Sequence, residues 1–290
     1  MIQRIITAAV LIPLVLLLIL RAPVWLLAIV AGVVALLAIR EFLELTRGYG
    51  VEPFTVGTYV FVGLFFVALS AIPRNEIPPA VAALAALSPF IFLSIGLSRQ
   101  KLSSGYSAAA ASVFAFVYIA MPMGVLIALR QSFRGELNLI FLMVVVWSGD
   151  IFAYFVGKSL GRHKMAPRVS PKKTWEGAAA SLLFSIVFGT LLYNSWAAIS
   201  SGLYKLHVLA QPTWWAYLPK VAVWKIILLS AILNVAAQLG DLVESAIKRG
   251  ADVKDSGAIL PGHGGMLDRI DAMLFAAPVL WVFVAWGILQ

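Results

Sequence analysis

The stretch "VAVWKIILLSAILNVAAQLGDLVESAIKRG", residues 221 to 250, decides the class of fold. From position 221 to 247 it is predominantly apolar for longer than the roughly 20 residues that cross a hydrocarbon core of about 30 Å, and its acidic residues gather at one end. Asp241, Glu244, Ser245 and Lys248 follow at i, i+3, i+4 and i+7, so a helix carries them on one face. For Glu244 and Lys248 the plain alternative is an i, i+4 ion pair on a solvated helix end. Asp241 lies about two turns further in, where an unpaired carboxylate is expensive and usually marks a functional site.

Working outward, eight more stretches resemble this one. The nine candidate spans run at approximately 5 to 20, 22 to 39, 54 to 72, 77 to 97, 106 to 129, 137 to 157, 177 to 199, 221 to 247 and 272 to 289. A chain that is 62% hydrophobic and 12% charged, with a mean hydropathy of +0.96, falls outside the soluble globular range. The expectation is an all-α, polytopic integral membrane protein of about nine transmembrane helices. The first two spans are separated only by Arg21, Ala22 and Pro23, so they read either as two full spans or as a re-entrant hairpin. Arg4 before an apolar run resembles a signal peptide, but no small-x-small cleavage site precedes Arg21, and the segment reads as mature protein.

With the N-terminus inside, fifteen of the 22 Lys and Arg residues fall on the cytoplasmic side and seven on the other, which supports a cytoplasmic N-terminus. The net charge of +9 is therefore read as topology plus contact with anionic lipid or phosphate, and not as nucleic-acid binding. The absence of cysteine excludes disulfides, thiolate metal sites and cysteine nucleophiles, and leaves the redox compartment open. No internal repeat is evident. The chain reads as one membrane domain, with helices for packing or dimerisation over 1–140 and the catalytic region over 141–290.

Six of the thirteen acidic residues (Asp241, Glu244, Asp252, Asp255, Asp268 and Asp271) lie between 240 and 271, beside Lys248, Arg249, Lys254 and Arg269. The loop after the eighth span holds Gly250, Gly257, Pro261, Gly262, Gly264 and Gly265, and Asp268 and Asp271 open the last helix. Glycines let backbone N–H groups approach phosphate, and carboxylates supply hard oxygen to magnesium, so the combination suits a magnesium-nucleotide. The plain alternative for Asp268 and Asp271 is favourable charge in the first turn of a helix. His263 has only His163 and His207 for company and no cysteine, too few ligands for zinc; a phosphate hydrogen bond or a loop-shaping role remains.

A second polar segment, "GKSLGRHKMAPRVSPKKTWEG", runs from 157 to 177. Gly157, Lys158 and Ser159 do not form a P-loop, because the glycine needed five residues earlier is Phe152. Ser170 and Pro171 read as N-cap and first helical residue, which predicts Lys172 and Lys173 in the first turn of the seventh helix, an anion site by charge and dipole. Lipid-headgroup contact is the alternative. Asp150 lies inside the sixth span, with Tyr154 one turn on.

The run from Ser245 through Lys248, Arg249, Lys254, Asp255, Gly257, Pro261, His263, Gly264, Gly265, Asp268 and Arg269 to Asp271 resembles the signature of the phosphatidate cytidylyltransferase (CDP-diacylglycerol synthase) family. "SPKKTWEG", residues 170 to 177, and Asp150 with Tyr154 resemble further stretches of it, so the likeness covers about the C-terminal half. Residues 1–140 match only as hydrophobic helices. The resemblance implies a multi-pass enzyme of the cell membrane, acting at the cytoplasmic side as a homodimer. It would transfer cytidylyl from CTP to phosphatidic acid, giving CDP-diacylglycerol and pyrophosphate. It also implies Mg2+ held by Asp241 and Asp268, with a monovalent cation such as K+ sharing the site. With it the catalytic set reads as Asp241, Asp268, Lys248, Arg249, Lys254, Asp255 and Asp271, where Lys248, Arg249, Lys254 and Arg269 hold either the triphosphate or buried ion pairs. The substrate-binding set is Lys172, Lys173, Ser170, Glu176, His263, Gly264, Gly265, Arg269 and Asp150.

Three rival readings share some of these features. A CTP-dependent lipid-alcohol kinase would use the same metal and triphosphate. A CDP-alcohol phosphotransferase needs an Asp-Gly pair and aspartates four apart, whereas Asp268 and Asp271 are three apart. An ion-coupled transporter would explain Asp150 and Asp241 as intramembrane carboxylates, but not the two basic loops.

Overall fold

In a bilayer core a backbone N–H finds no water, so a spanning chain must satisfy its hydrogen bonds within itself, and helices are the outcome. The computed structural model describes residues 2–72, 77–209, 221–259 and 264–288, the side chains of residues 2–9 and 78 excepted. Among these residues the chain forms ten α-helices and one small hairpin: α1 (Ile2–Arg21), α2 (Val24–Gly48), α3 (Thr55–Ala71), α4 (Ile77–Gly96), α5 (Leu102–Ala115), α6 (Met121–Gln131), α7 (Gly135–Ser159), β1 (Lys164–Ala166), β2 (Ser170–Thr174), α8 (Trp175–Lys205), α9 (Val223–Gly250) and α10 (Leu267–Ala285). A π-helical turn, Phe116–Ala120, joins α5 to α6, so 102–131 is one continuous rod.

Every predicted apolar stretch coincides with helix, and the protein is an all-α membrane protein apart from the hairpin. Six described helices are long and apolar enough to cross a membrane, and two shorter apolar ones, Val10–Arg21 and Thr55–Ala71, accompany them. The expected count of nine spans goes beyond these. α10 begins at Leu267, so Asp268 and Asp271 open it as expected, ahead of the apolar span read from 272. α1 and α2 are separate helices, and α1 rests on α7 as well as on α2. Arg130 donates from Nε to the carbonyl of Ile19 at 2.8 Å and pairs with Glu136 at 2.9 Å, which satisfies the end of α1.

Small residues set the close approaches. Ala28, Ala31, Ala35 and Ala38 of α2 are at most 4% exposed, and a Cβ on Gly32 would stand 3.1 Å from the Phe66 ring of α3. Two apolar clusters result. One joins α1, α7, α8, α9 and α10 around Phe141, Leu142, Leu229 and Leu280; the other joins α2, α3, the π-turn and α6 around Phe65, Phe116 and Ile127. α10 contributes to both, with Leu280 in the first and Ile270 and Leu274 in the second.

Between α7, α8 and α9 the packing is polar. Asn234 Nδ2 lies 2.8 Å from both Ser181 Oγ and Ser185 Oγ, and Ser185 Oγ donates to the Val145 carbonyl at 2.6 Å. Gln238 Nε2 donates to Asn234 Oδ1 at 2.6 Å. The side chains meet over Gly149, where a Cβ would lie 2.5 Å from Asn234 Nδ2. In apolar surroundings these bonds fix the register of the three helices.

Candidate active site

α7 and α9 end at the same face of the molecule, and each carries an aspartate nine residues before its end, Asp150 before Ser159 and Asp241 before Gly250. At 1.5 Å per residue both lie about 14 Å along the helix from that face. Asp150 is nevertheless exposed, and the Asp241 side chain is 37% exposed. Two accessible carboxylates at this depth place negative charge well along helices that are otherwise apolar. Asp150 and Asp271 both lie within the field of Asp241, and Asp150 also feels Lys173 and Arg269.

The hairpin supplies the cation. β1 and β2 pair antiparallel with Lys164 opposite Thr174 and Ala166 opposite Ser170, so Pro171, Lys172 and Lys173 stand opposite Met165 alone and β2 bulges. The bulge turns Lys173 inward, where its Nζ stands 2.6 Å from Asp241 Oδ2; Lys172 stays exposed. This corrects the expectation that Ser170 caps a helix and that the two lysines occupy its first turn. The helix starts at Trp175, and Thr174 is its cap, accepting from Gly177 N at 3.2 Å. The ladder to β1 and the bond from Trp175 N to the His163 carbonyl (3.0 Å) hold 170–174 extended. By type Ser170 is the stronger cap, and the strand pairing decides for Thr174.

Glu176, expected to touch substrate, holds the turn before β1. It accepts from Arg162 N (3.1 Å) and His163 N (3.2 Å), and its Oε1 lies 2.6 Å from His163 Nδ1. Gly157 is helical and faces Thr174 and Gly177, which agrees with the rejection of a P-loop.

Lys248 is buried, and its Nζ lies 2.5 Å from Asp268 Oδ1 and 2.6 Å from Glu244 Oε2. Glu244 is fully buried, and its contact with Lys248 is an ion pair without hydrogen-bond alignment. Asp268 also accepts at Oδ2 from Gly265 N (2.8 Å) and Ser256 N (3.1 Å). The i, i+4 pair of Glu244 and Lys248 therefore exists, but inside the protein and tied to the start of α10. Gly264 has φ +80°, the left-handed region, and this lets the chain turn into that start. Asp271 accepts from Ala272 N at 2.7 Å.

Arg249 links the two loops: its Nε donates to the Val169 carbonyl at 3.2 Å and its Nη1 to Val253 at 3.0 Å. The segments 158–176 and 248–271 thus meet at one end of the molecule. Lys254 and Asp255 are exposed at its rim, as is Arg269 at the mouth of α10. His263, Pro261 and Gly262 lie outside the described residues.

One participant escaped the sequence reading. Glu41 of α2 is only 4% exposed and reaches the signature loop, accepting at Oε2 from Ser256 Oγ (2.9 Å) and Leu267 N (2.8 Å) and at Oε1 from Met266 N (2.9 Å). Nearby, Tyr49 donates from its hydroxyl to the Ile247 carbonyl at 2.6 Å, against Gly250. The only sequence signal was a carboxylate inside an apolar helix, in the half of the chain without motifs.

The sequence matches the family described as the Cytidylyltransferase family over residues 2–286. It is similar to a phosphatidate cytidylyltransferase of Bacillus subtilis (strain 168), 43% identical over 173 residues, which are 59% of this chain and 56% of that one. It is also similar to one of Brucella abortus (strain 2308), 41% identical over 52% of this chain and 48% of the relative. A third, of Rickettsia bellii (strain RML369-C), is 32% identical over 71% of this chain and 84% of the relative. The chain thus spans about half the length of the first two relatives and most of the third.

Proposed function

The chain belongs to the cytidylyltransferase family, and from that premise we propose that it transfers the cytidylyl group of CTP to phosphatidic acid, releasing pyrophosphate and leaving CDP-diacylglycerol in the membrane. The observation that carries this reading is the ion pair of Lys173 with Asp241, which joins the hairpin bulge to the acidic end of α9 while leaving both side chains partly exposed. A phosphate oxygen of phosphatidic acid attacks the α-phosphorus of CTP; the new P–O bond forms as the bond from that phosphorus to the bridging oxygen breaks, and pyrophosphate leaves with its electron pair. The nucleophile is already anionic at neutral pH, so the barrier is the approach of two polyanions, and positioning plus charge stabilisation lower it.

Asp241 and Asp268 are the residues we assign to Mg2+, with K+ as a companion. Their donors are hard oxygens only, and magnesium binds through one or two carboxylates plus substrate phosphates. When bound, the ion neutralises phosphate charge and aligns the triphosphate. Each of these carboxylates now holds a lysine, Lys173 on Asp241 and Lys248 on Asp268. In the loaded site both ammonium groups turn to phosphate oxygens. Arg249, Lys254 and Arg269 at the rim attract CTP, Lys172 meets the lipid phosphate, and Asp150 and Asp271 keep the site polar. The acyl chains stay in the bilayer while the headgroup enters the site. The reactive end faces the cytoplasm, where CTP is available, and the enzyme works as a homodimer; the excess of Lys and Arg supports the first and the family resemblance the second.

The test is turnover by purified protein with magnesium, phosphatidic acid and CTP labelled at either the α or the γ phosphorus. Transfer of the α label alone to the lipid extract is expected. Transfer of the γ label would identify a lipid kinase, and no lipid label at all would overturn the proposal.

A further inference from the structure

A carboxylate buried in an apolar helix is costly unless donors surround it. Glu41 has three, and all come from the two ends of a single loop more than 200 residues away in sequence: Ser256 Oγ at one end, Met266 N and Leu267 N at the other. The loop is shaped to admit it. A Cβ on Gly257 would stand 2.5 Å from Glu41 Oε1, and one on Gly265 would fall onto Glu41 Oε2 and Ser256 Oγ. The residues that Glu41 grips flank the groups that grip Asp268, since Ser256 N and Gly265 N donate to Asp268, and Leu267 directly precedes it. Lys248 then takes its place from Asp268 Oδ1 at 2.5 Å.

We propose that Glu41 is a positioning residue for the transfer reaction: from α2 it fixes both ends of the 256–267 loop, and through them the places of Asp268 and Lys248. It touches neither substrate nor reacting atoms. The met N–H groups of Met266 and Leu267 are also among the first donors of α10, which have no partner within the helix, so Glu41 acts as the cap that this helix lacks locally. The proposal rests on the transferase reading for its kinetic consequence, and on hydrogen bonding alone for its structural one.

The experiment compares wild type, E41Q and S256A as full-length protein in detergent by steady-state kinetics, with CTP and phosphatidic acid varied separately, and by amide hydrogen exchange. Gln keeps the size but replaces one acceptor by a donor that faces N–H groups. E41Q is expected to lower kcat by about ten- to a hundredfold, with KM for either substrate changed by less than about threefold. Exchange should accelerate over 264–268 and stay unchanged over α7 and α8. S256A removes one donor only; a loss of about three- to tenfold in kcat is expected, and it serves as the test should E41Q fail to fold. A wild-type kcat in either folded variant, or faster exchange spread evenly over all helices, overturns the proposal. If wild type itself transfers no label, the functional reading fails instead, while the exchange comparison still decides whether Glu41 holds the loop.

Discussion

Asp241 and Asp268 were legible as a pair in the sequence, but their surroundings separate them. Asp241 is accessible and holds one lysine, whereas Asp268 is the hub of Lys248, Ser256 and Gly265. We therefore expect Asp241→Asn to abolish lipid labelling while leaving the melting temperature in detergent close to wild type. Asp268→Asn should abolish labelling and also destabilise the fold by about 3 kcal/mol, because Lys248 loses a buried partner. Equal stability of the two variants in thermal melts would contradict this difference. The two lysines should also separate: Lys173→Gln is expected to lower kcat/KM about a hundredfold, and Lys172→Gln less than about fivefold, read from kinetics at fixed magnesium. A window of 32 residues, 240–271, was enough to suggest Asp241, Lys248 and Asp268, since helix periodicity and charge bring them together, and a second polar segment, 157–177, suggested Lys172 and Lys173. The carboxylate of Glu41 was not legible as part of the site, because its partners are contacts across folded space that no local pattern encodes.

Helices were the easiest elements to read, since apolar length alone fixes them in a bilayer. The hairpin was missed: a five-residue strand that begins Ser-Pro looks like a capped helix until its pairing with 164–166 is seen. With Thr174 as the true cap, Thr174→Ala should lower stability by about 1 kcal/mol, and Ser170→Ala should do so by much less. Comparison of the two melting curves checks the corrected helix start. Helix-to-helix register is held by the Asn234, Ser181 and Ser185 network over Gly149. Gly149→Ala inserts a methyl group among these atoms, and we expect a loss of about 1–3 kcal/mol in the same assay. Apolar length foretold three helices over these residues, but neither that they would be neighbours nor which side chains would meet.

For the whole molecule, the loops 158–176 and 248–271 share one end, and the turn after α8 lies at the other. The chain has no cysteine, so single cysteines at Ser159, Ala258 and Leu206, all exposed, can be labelled without background. Intact cells expressing each variant should leave Ser159→Cys and Ala258→Cys unmodified by an impermeant thiol reagent and modify Leu206→Cys; the reverse pattern would turn the molecule over. The split of Lys and Arg between the two sides gives this orientation as an expectation for the labelling to decide, whereas the joining of the two halves had no signal in the sequence. That joining constrains how the gene can be recombined. A chimera that takes residues 1–140 from one relative and the remainder from another inherits a working enzyme only if its donor of the first part supplies a glutamate at position 41 and its donor of the second supplies glycines at 257 and 265, so crossover libraries in this family should recover active clones in which these three positions are inherited as a set.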